Sequence, residues 1–202
     1  MIPNSGDQQR DALEHRIQRH QAWLESRGTE GEQLDLRAAG LAEIDWSDVN
    51  LCEVDLREAH MHGARLRRAD LHGSLLAGAQ LDGADLAGAN LAKANLDEAS
   101  LVEASFRGAA LVRATFSHAD LRRADLTGAD LLKAFLHNAD LRGAILAGKL
   151  ERVGLTGARL AGARLIGATG LESAIVEWID IGEHEPRVLE GEAARVWLRE
   201  RA

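Results

Sequence analysis

Cys52, eight histidines and a row of aspartates standing immediately before leucines are the residues in this 202-residue sequence whose types suit a reaction. A nucleophilic cysteine needs a base beside it, and no His–Asp arrangement near Cys52 supplies one. A metal site needs His or Cys ligands at short, characteristic spacings. His60 and His62 form the one close pair within the repetitive part of the chain, and because they flank Met61 both should point outward on one side, with His72 on another. Asp85, Asp120, Asp125, Asp130 and Asp140 resemble candidates for paired carboxylates, yet each occupies the same phase of a repeating unit. A carboxylate or amide at such a bend hydrogen-bonds nearby backbone N–H groups, which is a structural reason for its presence. No glycine-rich phosphate loop is found. The expectation is a protein with no catalytic residue, no metal site and no cofactor, and therefore not an enzyme.

The elements that carry these residues follow from a period of five. Apolar centres run without interruption from Leu36, Leu41, Trp46 and Leu51 by fives to Leu146; the spacing then shortens to four and resumes at Leu150, Leu155, Leu160, Leu165, Gly170 and Ile175. A small residue stands two places before each centre, as at Ala64, Ala69, Ala79, Ala84, Ala89 and Ala94. An α-helix advances about 100° per residue, so fivefold spacing would scatter the leucines around its cylinder. A flat strand fails as well, because an odd spacing flips each successive leucine to the opposite face. The chain must turn a corner in every unit, with the centre and the residue two before it both pointing inward. Gly63, Gly73, Gly78, Gly83, Gly88, Gly108, Gly128, Gly143, Gly157, Gly162 and Gly167 all fall two residues after a centre and mark the bend.

Composition agrees with a narrow, regular core: 46% of residues are hydrophobic, mostly Leu and Ala, and only 3% are aromatic. One cysteine rules out an intrachain disulfide, the opening MIPNSGDQQRDALEHR lacks the apolar stretch of a signal peptide, and no run is long enough to span a membrane. A soluble cytoplasmic protein is expected. The net charge of −8 disfavours direct binding to nucleic acid or an anionic membrane and favours steering toward a basic partner.

Units such as ADLAG, ANLAK, ADLRR, ADLTG and ADLLK, recurring over residues 34–176, resemble the pentapeptide-repeat family. That resemblance implies an all-β solenoid, a right-handed quadrilateral β-helix with four repeats per coil. About seven coils stacked ~4.8 Å apart would make a rod roughly 35 Å long. Such a solenoid needs covered ends. Residues 1–33 are expected to form an N-terminal helical cap, with Leu13, Ile17, His20 and Leu24 on one face. Residues 177–202 are expected to form a C-terminal cap or dimerisation helix aligning Leu189, Ala193, Val196 and Trp197. The shortened step between Leu146 and Leu150 reads as a one-residue deletion at a corner, or else a kink presenting KLER to a partner.

Sorting the centres into four sides by a period of twenty concentrates charge unevenly. The side through Leu36, Leu56, Leu76, Leu96, Phe116 and Leu136 carries Asp35, Asp55, Glu58, Asp97 and Glu98, with Glu177 at its foot, against Arg37 and Arg57; the opposite side gathers Arg65, Arg67, Arg68 and Arg107. Family members that protect DNA gyrase from poisons imitate duplex DNA and often dimerise through a C-terminal helix. By that resemblance Asp35, Asp55, Glu58, Asp97 and Glu98 would form an acidic partner-binding face toward DNA gyrase or another type II topoisomerase. Leu189, Val196, Trp197 and Leu198 would form the seam of a homodimer. The alternative is a scaffolding β-helix whose outward apolar residues, among them Val102, Val112, Leu132 and Phe135, bind another protein.

Overall fold

The computed structural model describes residues 5–202, with side chains from Asp11 onward. A helix, α1 (Ser5–Glu25), leads into a long series of coils held together by single parallel bridges, Asp35 to Asp55, Gly40 to His60, Asp45 to Arg65, Asn50 to Asp70 and so on down the chain. Four bridge positions fill each twenty-residue coil, and each defines a face. The first face descends through Asp35, Asp55, Asn95 and Phe135 to Ile175; the second through Gly40, His60 and Asp140; the third through Asp45, Arg65 and Asp125; the fourth through Asn50, Asp70 and Lys149. A short 3₁₀ turn (Leu171–Ser173), an antiparallel pair of strands β1 (Trp178–Asp180) and β2 (Val188–Glu190), and helix α2 (Gly191–Arg199) complete the chain.

One unit shows why five residues suffice. Asp85 N–H donates to Ala64 in the coil before, Leu86 N–H to Ser105 and Gly88 N–H to Arg107 in the coil after, and Ala89 N–H back to Leu86. The only backbone donor left over is that of Ala87, and the Asp85 carboxylate accepts it at 3.0 Å. Buried or crowded N–H groups without a partner are costly, so a carboxylate or amide two residues earlier completes the unit. Asp45, Asn50, Asp55, Asn90, Asp125 and Asp140 repeat the contact.

The bend residue takes a left-handed conformation at nearly every corner, and not only where it is glycine: Glu58, Lys93, Glu98, Arg113 and Lys133 all have φ near +60°. This conformation costs about 1–2 kcal/mol at a residue with a Cβ. The N–H it turns toward the next coil is bonded there, as Glu98 to Ser117 at 2.9 Å, which offsets the strain. Inside, leucine centres and the alanines two before them are fully buried through the middle of the rod, from Leu51 to Leu141. Phe106 and Phe116, on opposite faces, meet edge to face across the axis with centroids 5.9 Å apart.

The step between Leu146 and Leu150 removes one residue, so the bridges that span it join positions nineteen apart, such as Asp130 to Lys149. Gly148 absorbs the change, since a Cβ there would run into the Ala129 carbonyl oxygen. A second register break follows. The 3₁₀ turn adds a residue, so the last inward centres are Leu171 and Val176, not Gly170 and Ile175, and Ile175 is exposed. The bridge from Arg159 to Asp180 restores the ladder at a spacing of twenty-one.

A helix packs against each end. His20 of α1 is fully buried, Trp23 stacks on it, and Leu13 and Ile17 pack partly against the first coil. At the other end α2 lays Ala194 and Leu198 into the last coil. The expected C-terminal helix is shorter than the sequence suggested: Leu189 lies on β2, opposite Ile179, and not on the helix.

Candidate partner-binding face

The sequence-derived acidic residues do share one face, but their chemistry differs. Asp35 holds Arg37 at 2.6 Å and Asp55 holds Arg57 at 2.6 Å, and both accept the arginine's own backbone N–H. The Arg37 contacts hold the Asp35 carboxyl down at about 2, and Arg57 likewise lowers that of Asp55. These are closed ion pairs around a shallow depression lined by Asp35, Arg37, Arg57 and Glu58.

Asp97 has a structural task. Thr115 stands where many units carry Asp or Asn, so the Ser117 N–H would lack an acceptor; Asp97 in the coil before supplies it at 2.7 Å. Asp82 does the same for Val102 at 2.9 Å. Among the described residues no ion pair engages Glu58 or Glu98. Those two left-handed bend residues project the uncompensated charge of the face, together with Glu177 below.

The expected basic opposite face is corrected by the structure. Its arginines are each matched by an aspartate of a neighbouring coil on that face: Arg65 by Asp45 at 3.1 Å, Arg67 by Asp85 at 3.0 Å, Arg68 by Asp48 at 2.6 Å and Arg107 by Asp125 at 2.6 Å. The sequence shows the sign of each side chain but not the partner one coil away. With the third face nearly neutral, the polarity of the rod comes from the first face: six carboxylates, Asp35, Asp55, Glu58, Asp97, Glu98 and Glu177, against two guanidinium groups, Arg37 and Arg57, leave a net of −4.

The lower end of the same face is apolar. Phe135, Ile175 and Trp178 are exposed, with His137 tilted against Phe135 at 5.8 Å. Gly154 keeps this surface flat, because a Cβ there would strike His137. Phe135 was legible as an outward apolar residue; Ile175 was not, because the added residue at the 3₁₀ turn moves it out of the core.

Of the residues assigned to a dimer seam, Leu198 is buried in its own chain and so is not available as an intermolecular contact in this arrangement. Leu189 and Trp197 are partly buried against the last coil, and Arg201 lies over the Trp197 ring at 4.4 Å. Val196 remains exposed.

Burial, with Asp70 beside it, pushes the Cys52 thiol up to about 11, which leaves it a poor nucleophile at neutral pH. His62 reaches Gln80 at 2.8 Å and Asp82 at 3.6 Å on the surface. Among the described residues no group of three or more His, Cys, Asp or Glu side chains is placed to hold a metal ion, and no helix is long and apolar enough to cross a membrane.

The family described as pentapeptide repeats matches residues 35–73, 74–111 and 109–148, in 8 copies. Among solved structures, full-length QnrB1, a plasmid-mediated fluoroquinolone resistance protein, is similar at 20% identity over 74% of this chain and 82% of that one, with a TM-score of 0.54. HetL, a pentapeptide repeat protein involved in heterocyst differentiation regulation from the cyanobacterium Nostoc, is 30% identical over 76% of this chain and 83% of its own, with a TM-score of 0.36. A thylakoid lumen pentapeptide repeat protein of Arabidopsis thaliana is 29% identical over 48% of this chain and 70% of its own, with a TM-score of 0.29. A search of curated proteins finds no match.

Proposed function

This chain belongs to the pentapeptide repeat family, and from that premise we propose that it is a non-enzymatic binding protein that presents its acidic first face to a basic protein surface. The DNA-binding surface of a type II topoisomerase such as DNA gyrase is the partner we assign, with protection from a topoisomerase poison as the outcome. We take the coil to wind right-handedly and to be square in section, as in the family, and the protein to act in the cytoplasm as a homodimer with Val196 at its seam.

The observation that carries this reading is the segregation of charge. Arginines of the third face are cancelled within that face, whereas Glu58 and Glu98 on the first face have no ion-pair partner among the described residues. A basic groove with low-dielectric walls responds to such a one-sided field. Magnitude limits the mechanism. Duplex DNA carries about one charge per 1.7 Å, or about 20 over roughly 35 Å, and a net of −4 is far below that. Shape and a few placed carboxylates must therefore carry recognition, with bulk charge contributing steering. The likeness to QnrB1 supports the fold on which such recognition is built.

A gyrase supercoiling assay with and without a fluoroquinolone tests the reading. The protein should inhibit supercoiling or relieve the drug, and a Glu58→Gln, Glu98→Gln double variant should lose most of the effect. Inertness at micromolar concentration rejects it.

The apolar end of the first face favours a second reading. Phe135, Ile175 and Trp178 have no counterpart in a phosphate backbone and suit a scaffold that docks another protein through an aromatic patch. In that case Trp178→Ala, and not the glutamate variants, would abolish partner binding.

A further inference from the structure

In a chain of net charge −8, one corner of the rod is lined with cations. The bend that leaves the fourth face is Glu53 in the first coil and Gly73 in the next, then Lys93, Arg113, Lys133 and Arg152 in four successive coils. Lys93 N–H donates to the Val112 carbonyl, Arg113 N–H to that of Leu132 and Lys133 N–H to that of Glu151, so the four residues stand one below another at intervals of about 4.8 Å. Among the described residues none of these four side chains has an ion pair or a hydrogen bond. The carboxylates on that stretch of the face are engaged elsewhere: Asp130 accepts the Leu132 N–H at 3.1 Å and faces Lys149 at 3.7 Å, and Glu151 accepts from the Thr169 hydroxyl at 3.5 Å.

Two other corners show what the fold prefers at this spacing. Where the chain leaves the third face, bend residues one coil apart carry opposite charges and pair, Arg68 with Asp48 at 2.6 Å; where it leaves the second face, Arg123 pairs with Glu103 at 2.9 Å. Four stacked like charges repel one another instead, and no contact inside the protein offsets that repulsion. The cationic column also edges a shelf. Beside it the fourth face is floored by Ala92, Ala110, Val112 and Leu132, with Asn90 and Asp130 further out. The far corner consists of Gly88, Gly108 and Gly128, which carry no side chains, so the shelf is open on that edge.

We propose that this shelf docks an α-helix of a partner protein, lying along the rod with an acidic stripe against Lys93, Arg113, Lys133 and Arg152 and an apolar stripe against Val112 and Leu132. Pitch selects a helix. The cations span three coil intervals, about 14 Å. Carboxylates placed once per turn cover about 16 Å in three turns, which flexible lysine and arginine side chains can match. Alternate residues of an extended strand cover about 20 Å over the same count and drift out of register. The floor selects protein over nucleic acid, because aliphatic Val112 and Leu132 suit leucine-like side chains and give a base no aromatic platform. This surface is separate from the acidic first face and opposite to it in sign.

Fluorescence anisotropy on the full chain tests this with a labelled synthetic helix carrying glutamate at every third or fourth position and leucine on the adjoining stripe. The probe should bind, and NMR shifts should move at Val112 and Leu132. A peptide of the same composition in scrambled order should bind about tenfold more weakly. Arg113→Glu combined with Lys133→Glu should weaken the ordered probe by about tenfold or more. That reversal sets opposite charges one coil apart, as at the two paired corners, so the melting temperature should hold or rise. Arg123→Gln, on another corner, should leave probe binding unchanged. Should the double variant not fold, the scrambled peptide makes the comparison on the native chain. The proposal is overturned if the ordered probe does not bind, if the scrambled peptide or a single-stranded DNA oligonucleotide binds as tightly, if the folded double variant binds normally, or if the shifts map to another face.

Discussion

His20 and Cys52 stand 32 positions apart in the chain, yet the His20 Nε2 donates to the Cys52 carbonyl oxygen at 2.7 Å. The other ring nitrogen, Nδ1, accepts from the Leu34 N–H at 3.1 Å, which requires a neutral imidazole protonated on Nε2. The ring thus joins α1 to the first coil at the point where the linker enters it, and protonation would set an N–H against an N–H.

Acid should loosen this joint. Burial pushes the His20 pKa below 6.5, an effect that the Cys52 bond and the charge of Glu53 only partly counter. The unfolded chain then binds a proton before the folded one, so stability is full above about pH 6.5 and is lost as pH falls toward the folded-state value. Carboxylates held low by arginine, such as Asp35, matter only below about pH 4. Thermal unfolding followed by circular dichroism should show stability declining from pH 7 toward pH 5. His20→Gln should remove that slope and, through unmet polar groups, cost about 1–3 kcal/mol at neutral pH.

Two glycines of one array should respond differently to alanine. At Gly83 a Cβ meets nothing within 4 Å and the penalty is that of a left-handed residue, about 1–2 kcal/mol. At Gly148 the Cβ would collide with the backbone of Ala129 across the shortened corner. Urea unfolding should therefore find Gly148→Ala clearly the more damaging, and equal losses would contradict the account of the register break.

Phe106 and Phe116 should behave as a coupled pair. Each Phe→Ala change should cost about 3–5 kcal/mol. Because the rings touch across the axis, a double-mutant cycle should return a coupling of about 0.5–1.5 kcal/mol.

Asp97 separates architecture from recognition. Asp97→Asn keeps an oxygen for the Ser117 N–H and should leave stability nearly unchanged, whereas Asp97→Ala orphans that donor and should cost about 1–3 kcal/mol. If the acidic face binds a partner through charge, the asparagine variant should weaken binding without weakening the fold, as measured by titration and melting in parallel.

The proposed homodimer is tested by sedimentation. Val196→Glu should shift a dimer toward monomer with the melting curve unchanged. Leu198→Glu should instead destabilise the C-terminal cap, because that side chain is buried in its own last coil.

By itself the sequence determined the repetitive core. Period, inward phase and bend position are local: a leucine at Leu86 or Leu91 and an alanine two places earlier must share a side of any chain that turns every five residues, and burial follows. The role of aspartate before leucine was also legible, because the N–H it satisfies is only two residues away. Interactions between coils required the tertiary structure. Arg68 finds Asp48, and Ser117 finds Asp97, only when twenty residues of chain have closed one circuit, so the electrical character of a face cannot be summed from its own letters. The second register change escaped notice for a similar reason, since Leu171 and Ile175 are both apolar and only the geometry of the closing coil selects which is buried. The covered ends were decided the same way: Leu189 pairs as a strand because Ile179 lies opposite, a contact made in space.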